Sequence, residues 1–127
     1  MSAQGNATEW REIKPVGLMG TIGPLLSKRD GAKWLYGLQT DDRHTNFVGI
    51  VHGGTIAAIV DQAMSLVGWE AAERQPLVTV HMDTTFLNAA KPGDFLEVDA
   101  ALQDKKGSLV FMEANVTSGD RLIAKAT

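Results

Sequence analysis

Two groups able to do chemistry stand eight residues apart in the middle of the chain. Asp61 interrupts an apolar run, with Ile59 and Val60 before it and Ala63 and Met64 after it. A carboxylate buried among such neighbours must be paired, hydrogen-bonded or put to use, because a lone buried charge is strongly disfavoured. Desolvation there favours the protonated form, which tunes a carboxylate toward general-base work near neutral pH. A structural aspartate held by a backbone or hydroxyl partner is the competing reading.

The other group is the backbone of His52-Gly53-Gly54, just ahead of that run. Glycines at a helix start let a ligand approach N–H groups that lack an intrahelical partner, and the helix dipole adds positive potential there. That suits an oxyanion hole, where donors wait for charge that develops only during reaction. A tight turn is the commoner meaning of a Gly-Gly pair, and the further glycines and Lys-Ser/Thr of a phosphate-binding loop are missing. Ser65 lies one turn beyond Asp61 on the same helical face, as a supporting hydroxyl or as one bonded back to its own helix.

Geometry links the two groups. At 1.5 Å rise per residue, Gly53 and Asp61 are roughly 12 Å apart along one helix, too far for both to reach a single carbonyl. If both act on one substrate, the carboxylate comes from a second subunit whose helix runs antiparallel, and function requires a two-fold dimer.

The elements that must position these groups follow from pattern. Residues 1–20 mix polar residues with Gly5, Pro15, Gly17 and Gly20 and read as a loose or briefly helical arm; residues 21–127 read as one domain. TIGPLLSK and AKWLYGLQT flank Asp30-Gly31 as a hairpin, with Pro24 pushing the first strand toward an edge. DDRHTNFVGIVHGG is a connection. TIAAIVDQAMSLVGWEAAER, free of proline and apolar around its circumference, predicts a central helix surrounded by protein. LVTVHMDTTFLNAA, DFLEVDAALQD, SLVFMEANVT and RLIAKAT predict four strands separated by turn residues, the last three as a meander. Without alternating αβ units, an antiparallel sheet around one long helix is the economical arrangement.

Bulk properties remove other classes. A net charge of -3 and the absence of any run of Lys or Arg longer than two residues argue against nucleic acid as a partner. No cysteine is present, so no disulfide framework, thiolate zinc site or cysteine nucleophile is available. His44 and His52 lack the further ligands of a zinc site, so no metal is expected. No basic stretch leads into an apolar one at the N-terminus and no run spans a bilayer, so no membrane partner and a cytoplasmic location are expected.

Asn46-x-x-Gly49-x-x-His52-Gly53-Gly54, then Asp61, Val78-Thr79 and Ala89-Ala90-Lys91-Pro92-Gly93, resembles the hotdog-fold acyl-CoA thioesterases of the phenylacetate-degradation type, from about Gly20 onward. The resemblance implies an α+β hotdog fold, a long helix wrapped by an antiparallel sheet of five to six strands. It also implies a homodimer that commonly pairs into a homotetramer, and acyl-CoA or aryl-CoA substrates. No cofactor is implied, coenzyme A being part of the substrate.

Carried over by position, Asp61 becomes the base that activates water, or the nucleophile, and the Gly53 amide becomes the donor to the thioester oxygen. Asn46 and His52 shape that loop and place substrate or water, and Thr79 holds the lytic water. Gly54, Ser65 and Asn88 are candidates for substrate binding. Asn88 departs from the family, which often has an arginine there, so Arg43, Lys91 or Lys105 is left to meet the CoA phosphates. The family also often runs a few residues past the position of Thr127.

Two other functions compete. A hotdog enoyl-CoA hydratase or dehydratase would use His52 with an acid, and water addition without thiol release would identify it. A non-catalytic acyl-CoA sensor would be stabilised by ligand and never turn it over.

Overall fold

The apolar run around Asp61 forms one long helix, and the rest of the chain is arranged to cover one side of it. The computed structural model describes residues 9–127, so the first eight residues of the expected arm lie outside it. Two-residue β1 (Arg11–Glu12) and helix α1 (Leu18–Ile22) lead into β2 (Leu26–Asp30) and β3 (Lys33–Gln39). A 3-10 turn at Asp42–His44 and helix α2 (Gly53–Ala71) follow. The chain then forms β4 (Thr84–Phe86), β5 (Phe95–Lys106), β6 (Leu109–Ser118) and β7 (Arg121–Ala126). One antiparallel sheet results, in the order β1-β2-β3-β5-β6-β7-β4.

The hairpin and the meander follow the sequence closely. β2 and β3 pair up to Asp30 and Lys33 around a two-residue turn, Gly31-Ala32, where Gly31 takes a φ of 63° that favours glycine. β5, β6 and β7 form consecutive antiparallel pairs. Five strands are five residues or longer; β1 and β4 are short additions at the two edges.

Sheet and helix meet through a shared apolar layer. Leu96, Val98 and Ala100 of β5, Ala114 and Val116 of β6, and Ile123, Ala124 and Ala126 of β7 are all buried in the core. The alanines among them leave room for α2 to lie close. From the helix, Thr55, Ile56, Ile59, Val60, Ala63, Met64 and Gly68 are buried, an i, i+3/i+4 stripe. Ile59 and Val60 are wholly inaccessible to solvent, and such burial stabilises by about 1.5–3 kcal/mol per side chain.

Four expectations need correction. The helix is not surrounded in the single chain: Ala57, Ala58, Asp61, Gln62, Ser65 and Leu66 are only half-buried, because the sheet lies on one side. It begins at Gly53 and ends at Ala71, ahead of Glu73 and Arg74, whose positive φ values (56° and 65°) turn the chain before Pro76. The long strand expected from LVTVHMDTTFLNAA is paired only at Thr84–Phe86, with Asp83 adding mutual bonds to Thr127. Residues 77–82 pair with no strand among the described residues. The first strand is also shorter than expected, since Thr21 and Ile22 belong to α1.

Candidate active site

The head of α2 is built from the connection that precedes it. Buried His44 accepts the Asp41 N–H at Nδ1 (2.9 Å), so Nε2 carries its proton and donates to the Ile22 carbonyl (2.6 Å). The His44 carbonyl in turn accepts the His52 N–H (2.7 Å). Arg43 donates to the Thr21 and Gly23 carbonyls and to Asp41, fastening α1 to the connection. That hydrogen bond from Arg43 holds the Asp41 carboxyl below the usual carboxylate range. Arg43 is thus committed to the fold. Sequence reading missed both roles, since they depend on contacts some twenty residues away.

Asn46 closes the next turn. Its Oδ1 accepts the N–H groups of Val48 (3.0 Å) and Ile50 (3.3 Å), which fixes the amide orientation and leaves the Nδ2 group without a partner among the described residues. His52 is the N-cap: its Nδ1 accepts the Gly54 N–H (2.7 Å). A Cβ on Gly54 would come within 2.9 Å of that ring, so the cap itself demands glycine. No hydrogen bond among the described residues takes the Gly53 N–H. The Phe86 ring lies over Gly53, 3.3 Å from where a Cβ would stand.

Around that amide is a cleft of about 250 Å³ lined by Asn46, Ile56, Gly53, Phe86, Asn88 and Ala90. Asn88 reaches it but donates its side-chain amide to the Leu122 carbonyl (2.7 Å). Arg121 donates to the Ala89 carbonyl (2.8 Å), bringing a cation beside the position where Asn88 stands. Lys91 is exposed next to the lining residue Ala90.

Asp61 lies in a different cleft, of about 330 Å³, which also holds Ser65 and Thr79. The Thr79 hydroxyl donates to Asp61 Oδ1 (2.5 Å), and Oδ2 has no partner among the described residues. Thr79 comes from the unpaired segment after the helix, not from a strand. The Ser65 hydroxyl makes no hydrogen bond among the described residues. Met64, Leu77, Val110 and Met112 give this cleft an apolar floor, and His81 joins its rim. Trp69 stacks under Arg74 (5.2 Å) at the far end of α2.

Asp61, Thr79 and Ser65 therefore meet in one cleft, and Gly53, Asn46 and Asn88 in another; one chain does not bring the two sets together. Val110 and Met112 left no local signal, because strand register across the sheet puts them under the carboxylate. Among the described residues no group of three or more His, Asp or Glu side chains is arranged to hold a metal ion. No described helix is long and apolar enough to cross a membrane.

Comparison with known proteins identifies the family. Residues 48–125 match the profile of the family described as Thioesterase superfamily. Over 112 residues the chain is 30% identical to the Pseudomonas aeruginosa protein PA0474, covering 87% of this chain and 84% of that one. It is 27% identical over 81 residues to human acyl-coenzyme A thioesterase 13, covering 64% of this chain and 58% of that protein. In structure it is similar to zebra fish thioesterase superfamily member 2, with a TM-score of 0.74, 26% identity, and coverage of 80% and 76% of the two chains.

Proposed function

The chain belongs to the thioesterase superfamily, and from that premise we propose that it hydrolyses acyl-CoA or aryl-CoA thioesters at two equivalent sites shared between the protomers of a dimer. At each site the partner's Gly53 amide donates to the thioester oxygen. Asp61 either takes a proton from water that attacks the carbonyl carbon or attacks it directly. Where water attacks, the tetrahedral intermediate expels the thiolate, which collects the proton from Asp61, leaving free acid and CoA. Where Asp61 attacks, expulsion of the thiolate leaves a mixed anhydride that water splits into the free acid and the Asp61 carboxyl, whose proton passes to the thiolate.

One observation carries the reading: an unbonded amide at the head of α2 and a carboxylate with a free oxygen eight residues on, in separate half-clefts of one rigid helix. An antiparallel second copy is the arrangement that completes both. Thr79, while donating to Asp61, keeps lone pairs with which to hold a water, and Ser65 stands beside it. The Asn46 Nδ2 group is a second donor near the oxyanion. His52 supports the site by capping the helix, and Gly54 by letting that cap close. Exposed Lys91 and Arg121, with Asn88, border the Gly53 cleft and suit the CoA phosphates. The hydratase alternative fares worse, since His52 Nδ1 is occupied by the Gly54 amide and Nε2 then carries the proton, leaving no basic nitrogen. No cofactor enters the scheme. A cytoplasmic location and pairing of dimers into a tetramer belong to the same reading, and the chemistry needs neither.

The test is thiol release from a panel of acyl-CoA and aryl-CoA thioesters. Asp61→Ala is expected to lower kcat by about 10²–10⁴-fold. An undiminished rate removes the proposed carboxylate from the reaction.

A further inference from the structure

Phe47, Val78, Val80 and Val48 are the four most exposed large apolar side chains among the described residues, at 111, 87, 79 and 78%. They fall into two pairs, one at each half-site. Phe47 and Val48 form the tip of the turn that Asn46 closes, and Asn46 lines the Gly53 cleft. Val78 and Val80 line the Asp61 cleft.

The tip is held outward. Besides the two bonds to Asn46 Oδ1, the Gly49 N–H donates to the Asn46 carbonyl (3.0 Å), and Thr45 and Val51 pair across the base of the turn. Apolar side chains on a fixed, hydrogen-bonded turn do not fold back onto their own chain; they are knobs awaiting a surface. Resting on the shared-site reading above, the position of that surface follows. Whatever brings Gly53 to the partner's Asp61 carries Phe47 and Val48 with it, toward the partner's Val78 and Val80, and the two-fold axis repeats the contact. The cations border the Gly53 cleft, whereas the Asp61 cleft has the apolar floor of Met64, Leu77, Val110 and Met112. CoA therefore belongs to the first and the acyl group to the second.

We propose that Phe47 and Val48 of one protomer form the outer wall of the partner's acyl cleft, and that Phe47 sets the size of acyl group it accepts.

Two measurements are decisive, and the proposal requires both outcomes. The chain has no cysteine, so a Phe47→Cys, Val80→Cys double variant carries only the two introduced thiols. Oxidised with diamide, it is expected to give a covalent dimer on a non-reducing gel that dithiothreitol reverses, where each single variant gives far less. Secondly, kcat/KM is measured for acetyl- through dodecanoyl-CoA. Phe47→Ala is expected to raise the long-to-short ratio by about tenfold and Phe47→Trp to lower it similarly. Absence of the cross-link, or ratios that stay flat or move in the same direction in both variants, overturns the proposal. If that happens while thiol release by the unaltered enzyme still depends on Asp61, only the wall is lost. Equal rates for the unaltered chain and Asp61→Ala sink the hydrolase reading instead.

Discussion

The head and the middle of α2 are made of similar polar parts put to different uses. At the head, nearly every polar group has a partner inside the chain: His52 caps Gly54, His44 links Asp41 to Ile22, and Asn46 closes its turn. Among the described residues the Gly53 N–H and the Asn46 Nδ2 group are left over. In the middle, Asp61 has a single partner, Thr79, and Ser65 has none among the described residues. The polar groups of the head thus serve fold and chemistry together, while those of the middle contribute little to the fold and sit half-open. Variants of the bonded side chains at the head should cost stability, and those of Asp61, Thr79 and Ser65 should cost rate alone.

The sharpest way to break that contrast is to delete the unused Gly53 amide without harming the helix. Gly53 is the first helical residue, where proline is tolerated, and His52 already holds the extended ψ of 134° that a residue before proline needs. Gly53→Pro is expected to lower kcat by about 10²–10³-fold while the far-ultraviolet dichroism of the helix is retained. A rate within about threefold of normal would mean that the amide stabilises no oxyanion.

Thr79→Val removes the only described partner of Asp61 from an exposed position. It should reduce kcat by about tenfold. Urea unfolding should move by less than ~0.5 kcal/mol, as is usual for a surface change; a larger shift would show the middle to be structural after all.

Mixing tests whether the two regions work in trans. Dimers reassembled from equal amounts of Asp61→Asn and Gly53→Pro chains contain heterodimers with one site lacking both groups and one site intact. Since about half of the random pairs are mixed, about a quarter of normal activity should reappear. No recovery in assembled heterodimers would put both groups of a site on one chain.

The smallest effect on rate belongs to the cap. His52→Ala should lose about 1 kcal/mol of stability by urea titration, with kcat falling by less than the Gly53→Pro variant. A stable variant would make the imidazole a site group and not a structural one.

Local patterns carried most of the fold. Asp30-Gly31 marked a hairpin, the turn residues after β5 and β6 marked a meander, and an uninterrupted apolar run marked α2. The alternation in LVTVHMD also reads as a strand, yet a strand is defined by its neighbour, and residues 77–82 pair with none among the described residues. Asp61 was legible because a charge in an apolar helix violates a local rule, and Gly53 because glycines at a helix start are locally costly. What surrounds them was not. Val110 and Met112 reach Asp61 through sheet register, Phe86 reaches Gly53 from the opposite edge, and His44 is buried by a segment twenty-two residues upstream.

Carrying both groups on one helix has a genetic consequence in the paired arrangement. A copy lacking either Asp61 or the Gly53 amide leaves an unaltered companion with one working site. A copy lacking both spoils the two sites at once, so a doubly altered allele would act dominantly over a normal one, while each single lesion is partly masked.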